Sequence, residues 1–124
     1  MPTIAIIGAS SDRAKFGNKC VRAYAQRGYH VYPINPKDAT IEGWSAFKSI
    51  LDLPVDAVDR VSIYLPPEIT VKVLDEVATK QAAEVWLNPG SDAPEVLEKA
   101  RRLGLNAIQG CSIVAIGISP EELN

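Results

Sequence analysis

The stretch IAIIGASSDRAKFGNK, residues 4–19, sets an apolar run against a glycine and a polar loop. A short continuous apolar run closed by Gly8 is the pattern of a strand buried on both faces. Gly17, Cys20, Val21 and Tyr24 then fall at i, i+3, i+4 and i+7, which places them on one helix face. Strand, loop and helix in this order form the phosphate-binding half of a dinucleotide fold, whose fingerprint is G-x-G-x-x-G. Here Ser10 stands in place of the second glycine and Arg13 in place of the third. A phosphate site is still expected. Gly8 permits a tight turn, and Ser10, Ser11 and free backbone N–H groups can hold anionic oxygens at a helix N-terminus. Arg13, Lys15 and Lys19 add positive charge, while Asp12 sets an acid beside them. The competing reading is a plain strand-to-helix connection with solvated charges.

The same alternation continues to the end of the chain. HVYPIN (30–35) reads as a second strand stopped by Pro36, after a helix that Gly28 is placed to end. TIEGW (40–44) reads as an edge strand, and Ser45 can cap a short helix carrying Phe47, Ile50 and Leu51 on one side. RVSIYLPP (60–67) is β-branched and aromatic, with Pro67 suited to the first turn of a helix burying Thr70, Val73, Leu74, Val77 and Ala78. EVWLNPG (84–90) is a further strand. Asp92 and Glu95 resemble a capping box for a helix that buries Val96, Leu97 and Ala100 and ends at Gly104. NAIQG (106–110) is a last short strand, and the tail from Cys111 fits neither period.

These elements predict an α/β fold: a single Rossmann-like, doubly wound parallel sheet of five to six strands with helices on both faces, one domain over residues 1–124. The expected order places TIAIIG at the centre, HVYPI beside it and TIEG outside that. RVSIYL, EVWL and NAI continue on the other side. Ligands of such sheets bind beyond the carboxyl ends of the strands, where the order reverses. The loop after Gly8, NPKD (35–38), LPPE (65–68) and NPGS (88–91) converge there.

Composition narrows the function. With 124 residues, 47% hydrophobic and 23% charged, the chain has the make-up of one globular domain. A net charge of −2 argues against a nucleic-acid binder. No run approaches a membrane span, and the N-terminus lacks the basic region of a signal peptide. Two cysteines far apart, Cys20 and Cys111, suit the reducing cytoplasm. A single histidine, His30, removes most metal and triad designs.

The second loop discriminates between nucleotides. An NAD site wants an acid at the end of its second strand, to accept from the ribose 2′-OH. This chain has Asn35-Pro36-Lys37, and a lysine there suits a phosphorylated ribose, as in NADP or coenzyme A. A Pro-fixed turn with a solvated lysine is the equal alternative. Cys20 belongs to the apolar helix face. Cys111 stands at the ligand edge with no Lys, Arg or His in QGCSIV to lower its pKa, so an inert thiol is expected.

Taken together, GAS after the first strand, GYHVYPINPK, IEGWSAFKSILDLP, VDRVSIYLPPE, EVWLNPGS and GLNAIQGC resemble the small CoA-binding proteins. These are similar to the N-terminal domain of the succinyl-CoA synthetase α subunit. The resemblance implies that Gly8, Ala9, Ser10 and Ser11 hold the CoA phosphates with Arg13 nearby. It implies that Asn35, Pro36 and Lys37 meet the ribose and its 3′-phosphate. Leu65, Pro66 and Pro67 would flank the adenine, and Asn88, Pro89 and Gly90 would line the pantetheine path. No catalytic set is visible, so the expected role is a cytoplasmic, non-catalytic module binding coenzyme A or acyl-CoA, regulatory or a carrier. An NADP-binding oxidoreductase or redox sensor is the alternative, and a subunit completing an acyl-CoA ligase with a separate chain is a third.

Overall fold

The computed structural model describes all 124 residues. Its sheet has five parallel strands, in the order β2-β1-β5-β6-β7. They are β1 (Thr3–Ile7), β2 (His30–Ile34), β5 (Ala57–Ile63), β6 (Gln81–Leu87) and β7 (Ala107–Gln109). Helices α1 (Phe16–Gln26), α2 (Pro67–Val77) and α3 (Pro94–Arg102) make the crossovers. From β1 the chain moves outward to β2, then returns past β1 to β5. The order therefore reverses between β1 and β5, and the expected crevice opens at their carboxyl ends.

β1 shows why a short apolar run centres the sheet. Its side chains alternate between faces, and both faces are covered. Ile4 and Ile6 join Cys20, Val21 and Tyr24 of α1 in one buried layer. Ala5 and Ile7 join Leu74 and Val77 of α2 and Val96 and Ala100 of α3 in the other. The tail closes the first layer. Ile113, Ile118 and Leu123 are buried against the α1 face, carried by two short 3₁₀ turns at Val114–Ile116 and Pro120–Leu123.

Helix ends follow local chemistry. Gly28 takes φ +82° and Gly104 φ +72°, each just past its helix. Pro67 and Pro94 open α2 and α3 at positions where a missing N–H costs nothing.

Several local expectations change. TIEGW does not extend the main sheet: β3 (Thr40–Ile41) and β4 (Trp44–Ser45) pair with each other, antiparallel. A two-residue turn, Glu42 at φ 50° and Gly43 at φ 82°, reverses the chain too early for a sheet strand. Phe47 makes a single bridge to Ile34 of β2 instead. Ser45 lies in β4, and Ser49 is the cap, its Oγ accepting from the Leu51 N–H at 3.1 Å to open a 3₁₀ turn at Ile50–Asp52. Leu51 points to solvent, as does Ala78. Asp92 does not cap α3; Ala93 takes that position, while Asp92 accepts from the Gly90 N–H.

The tightest packing lies between two glycines. A Cβ on Gly17 would stand 2.1 Å from the Gly8 carbonyl oxygen, whereas one on Gly28 would meet nothing within 4 Å. Gly17→Ala is expected to cost about 3 kcal/mol by forcing helix from turn. Gly28→Ala should cost only about 1 kcal/mol, for its left-handed backbone. Urea unfolding of both variants checks the ranking, and equal losses would contradict it.

Candidate ligand cleft at the carboxyl edge of the sheet

The site is built on Gly8. This residue has φ +91°, and a Cβ there would approach the Tyr64 carbonyl oxygen to 2.9 Å. The turn after β1 is thus wedged between the end of β5 and the first turn of α1. Gly17 supplies the close helix–strand approach that the third glycine gives in a dinucleotide fingerprint. It does so four positions later than Arg13, because residues 9–15 form a longer loop.

That loop is held by its own polar groups. Ser10 Oγ accepts from the Asp12 N–H, and Asp12 Oδ1 accepts from the Ala14 N–H, both at 3.0 Å. The acid expected beside the phosphates is thus turned to its own backbone. Asn18, fully buried, donates from Nδ2 to the Ser10 carbonyl and to Glu42 Oε2. The N–H groups of Phe16 and Gly17 have no backbone acceptor. Both residues border a groove that Gly8 also lines, at the positive end of α1, the arrangement that receives an anionic oxygen.

Arg13 lines a separate groove, with Ala14, Lys19, Arg22, Leu123 and Asn124. Its Nε lies 3.6 Å from Glu42 Oε2 and its side chain is 66% exposed, so this ion pair contributes little. Asn35 holds the two loops together: Nδ2 donates to the Ala9 carbonyl at 2.9 Å, and Oδ1 accepts from the N–H groups of Lys37 and Asp38. Lys37 projects from this turn, exposed, with no carboxylate within ion-pair distance.

Two grooves meet at Gly8 and Leu65. One, of about 370 Å³, runs between α2 and the segment around Ile50, with Pro36 at its edge and Leu65, Ile69 and Val73 along its wall. The other, of about 460 Å³, lies toward β6, bordered by Pro66, Pro67, Pro89, Gly90, Phe16 and Lys15. Of the residues implicated by sequence, Gly8, Pro36, Leu65, Pro66, Pro67, Pro89 and Gly90 come together on these walls. The other seven, Ala9, Ser10, Ser11, Arg13, Asn35, Lys37 and Asn88, do not line them. Ala9 packs into the α1 layer, and Asn88 is 1% exposed beneath the cleft. The sequence reading missed Lys48, Ile69, Val73 and Glu76 on one side and Tyr64 and Ser91 on the other. The i, i+4, i+7 spacing of Ile69, Val73 and Glu76 was the available signal.

Below the cleft lies a buried polar cluster. Ser112 Oγ shares hydrogen bonds with Ser62 Oγ at 2.7 Å and Tyr64 OH at 3.3 Å. Its N–H donates to Asn88 Oδ1, and its carbonyl accepts from Tyr24 OH at 2.8 Å. No buried side-chain polar atom is left without a partner. Burial pushes the Cys20 thiol up to about 11 and the Tyr24 phenol up to about 12. Burial, reinforced by the Cys20 charge, drives Tyr64 well above the ordinary phenol range. These groups stay protonated at neutral pH and act as scaffold. His30 packs its ring on Tyr32 and Trp44, with centroids at 4.6 and 5.1 Å. Cys111 is half-buried and packs against the α1 layer. No group of three His, Cys, Asp or Glu could hold a metal ion, and no helix is long and apolar enough to cross a membrane.

A parallel sheet whose order reverses at a glycine turn, with a groove on each side of it, is the architecture of nucleotide-binding α/β domains. The sequence narrows this class. Residues 2–117 match the family described as CoA binding domain, and the chain belongs to that family. It is 37% identical over 78 residues to an ADP-forming acetate–CoA ligase of Methanocaldococcus jannaschii, covering 63% of this chain and 11% of the ligase. It is 27% identical over 115 residues to an ADP-forming acetate–CoA ligase of Archaeoglobus fulgidus, covering 85% of this chain and 17% of the ligase. The chain thus spans less than a fifth of the length of these relatives. In structure it resembles a conserved hypothetical protein from Pyrococcus furiosus, with a TM-score of 0.83 and 30% identity over 93% of this chain and 99% of that one.

The buried thiol gives stability a pH dependence. Below its ordinary value of 9, Cys20 is protonated whether folded or unfolded, and its contribution is intact. Between pH 9 and about 11 the unfolded thiol ionises while the folded one does not, so stability falls as pH rises. Denaturant unfolding from pH 8 to 11 should show this decline. In Cys20→Ser the slope should be shallower by one proton, and an unchanged slope would contradict the assignment.

Proposed function

We propose that this chain binds coenzyme A or an acyl-CoA as a non-catalytic module of the cytoplasm. The observation that carries the reading is the pair of unlike grooves meeting at Gly8. Coenzyme A is long and chemically divided, with a flat base at one end, a pyrophosphate in the middle and a slender chain at the other. The apolar groove beside α2 suits the base. The Gly8 turn, with the open N–H groups of Phe16 and Gly17, suits the pyrophosphate. Lys37 suits the ribose phosphate, and the groove between Pro66-Pro67 and Pro89-Gly90 suits the pantetheine chain. Membership of the CoA-binding family supports the same assignment.

Calorimetry with coenzyme A, dephospho-coenzyme A, NADP and NAD tests the ligand. Coenzyme A should bind most tightly, with dephospho-coenzyme A about tenfold weaker, the scale of one charge-assisted contact, and NAD weakest. Lys37→Ala should weaken coenzyme A to the level of dephospho-coenzyme A and leave the melting temperature nearly unchanged. Equal affinity for the two coenzymes would remove the role of Lys37. NADP binding above both would favour the oxidoreductase reading.

Turnover has its own test. Incubation with acetyl-CoA or succinyl-CoA should release no free thiol above the blank. Protein-dependent release that disappears in Cys111→Ala would overturn the non-catalytic assignment.

A further inference from the structure

The groove beside α2 carries more chemistry than a hydrophobic slot requires. Ile34, Ile50, Leu65, Ile69 and Val73 give it apolar walls, and Lys48 and Ser49 also line it. Glu76 shares this groove. Ile69, Val73 and Glu76 stand at i, i+4 and i+7 on one face of α2, so Glu76 lies about 10 Å along the helix from Ile69. The carboxylate is oriented: Oε1 accepts from Ser49 Oγ at 2.6 Å. That hydroxyl is itself positioned by the Leu51 N–H at 3.1 Å. Glu76 Oε2 takes no hydrogen bond from the protein, and Glu76 forms no ion pair within 4 Å. A carboxylate can only accept. An apolar slot holding one oriented carboxylate with a free oxygen fits a flat ring that carries an N–H donor on its edge.

We propose that Glu76 recognises the base: its free carboxylate oxygen accepts a hydrogen bond from the 6-amino group of adenine, making it the specificity-determining residue of this groove. Adenine offers that amino group as a donor on its edge. This assignment rests on the coenzyme reading and adds to it the residue that selects a 6-aminopurine. Ser49 is a positioning residue, since it touches only the carboxylate and the backbone. Phosphate contacts at Gly8 and Lys37 bind a coenzyme whatever its base, so base selection needs a separate group, and Glu76 is the acidic residue on the walls of this groove.

The test compares coenzyme A with its analogue bearing hydrogen in place of the 6-amino group, by calorimetry on the full chain. Wild type should bind the analogue about tenfold or more weakly, the scale of one hydrogen bond to a charged group. Glu76→Ala should bring the two affinities within about threefold of each other. Glu76→Gln keeps an acceptor oxygen and should retain part of the preference. Equal affinity of wild type for both ligands overturns the assignment, and needs no variant to show it. A Glu76→Ala protein that binds both ligands more weakly but keeps the wild-type preference marks a purely structural glutamate and also overturns it. Either result leaves the coenzyme reading standing. Absence of coenzyme A binding to wild type overturns both.

Discussion

The contact between the Gly8 carbonyl and the α-carbon of Gly17 sets the geometry of the whole ligand edge. No side chain fits between them, since even a Cβ on Gly17 would lie 2.1 Å from that oxygen. Helix α1 is therefore pressed against the turn after β1, and its first N–H groups there have no backbone acceptor. The eight residues from Gly8 to Lys15 must bulge outward between these fixed points, which makes the loop long and polar rather than glycine-rich. Close backbone approach is a requirement of distance. It can be met by a glycine at whatever position the loop length brings against the strand.

Three amides show how the edge is held in shape. Asn18, Asn35 and Asn88 each bridge segments far apart in sequence, and each uses both its donor and its acceptor on the protein. Side chains committed in this way organise the loops. What remains for a ligand is backbone N–H, the apolar groove walls, the free oxygen of Glu76 and the lysines at the edge. Glu42 belongs to the same framework. It accepts a left-handed backbone that costs about 1–2 kcal/mol for an L-residue, and from that position it reaches Asn18 and Arg13.

Ser112 ties the C-terminal segment into the sheet. Through Asn88 and Ser62 it reaches β5 and β6, and through Tyr24 it reaches α1. Ile113, Ile118 and Leu123 then bury the α1 face that would otherwise meet water. Every polar atom of the buried cluster finds a partner, so the cluster can sit under the cleft without the penalty of an unpaired group.

The pattern of apolar residues along the chain determined the fold class, a parallel sheet of five to six strands and the reversal point beside Gly8. Strands buried on both faces read as continuous apolar runs, and helices at Gly17–Tyr24 and Thr70–Val77 read at their own period. The ligand edge was legible for the same reason, since connectivity sends every post-strand loop to one end. Tertiary structure alone decided the rest. A period does not say which residue three loops away a side chain will meet. Thus Asn35 and Asn88 proved to be braces, Gly17 took the part sought at Arg13, and TIEGW folded on itself around a two-residue turn. The tail had no period because its residues are buried one at a time against α1, each by a separate long-range contact. Glu76 was hidden in a helical stripe, and only the packing of α2 against Ser49 and Ile50 turned that stripe into the wall of a groove.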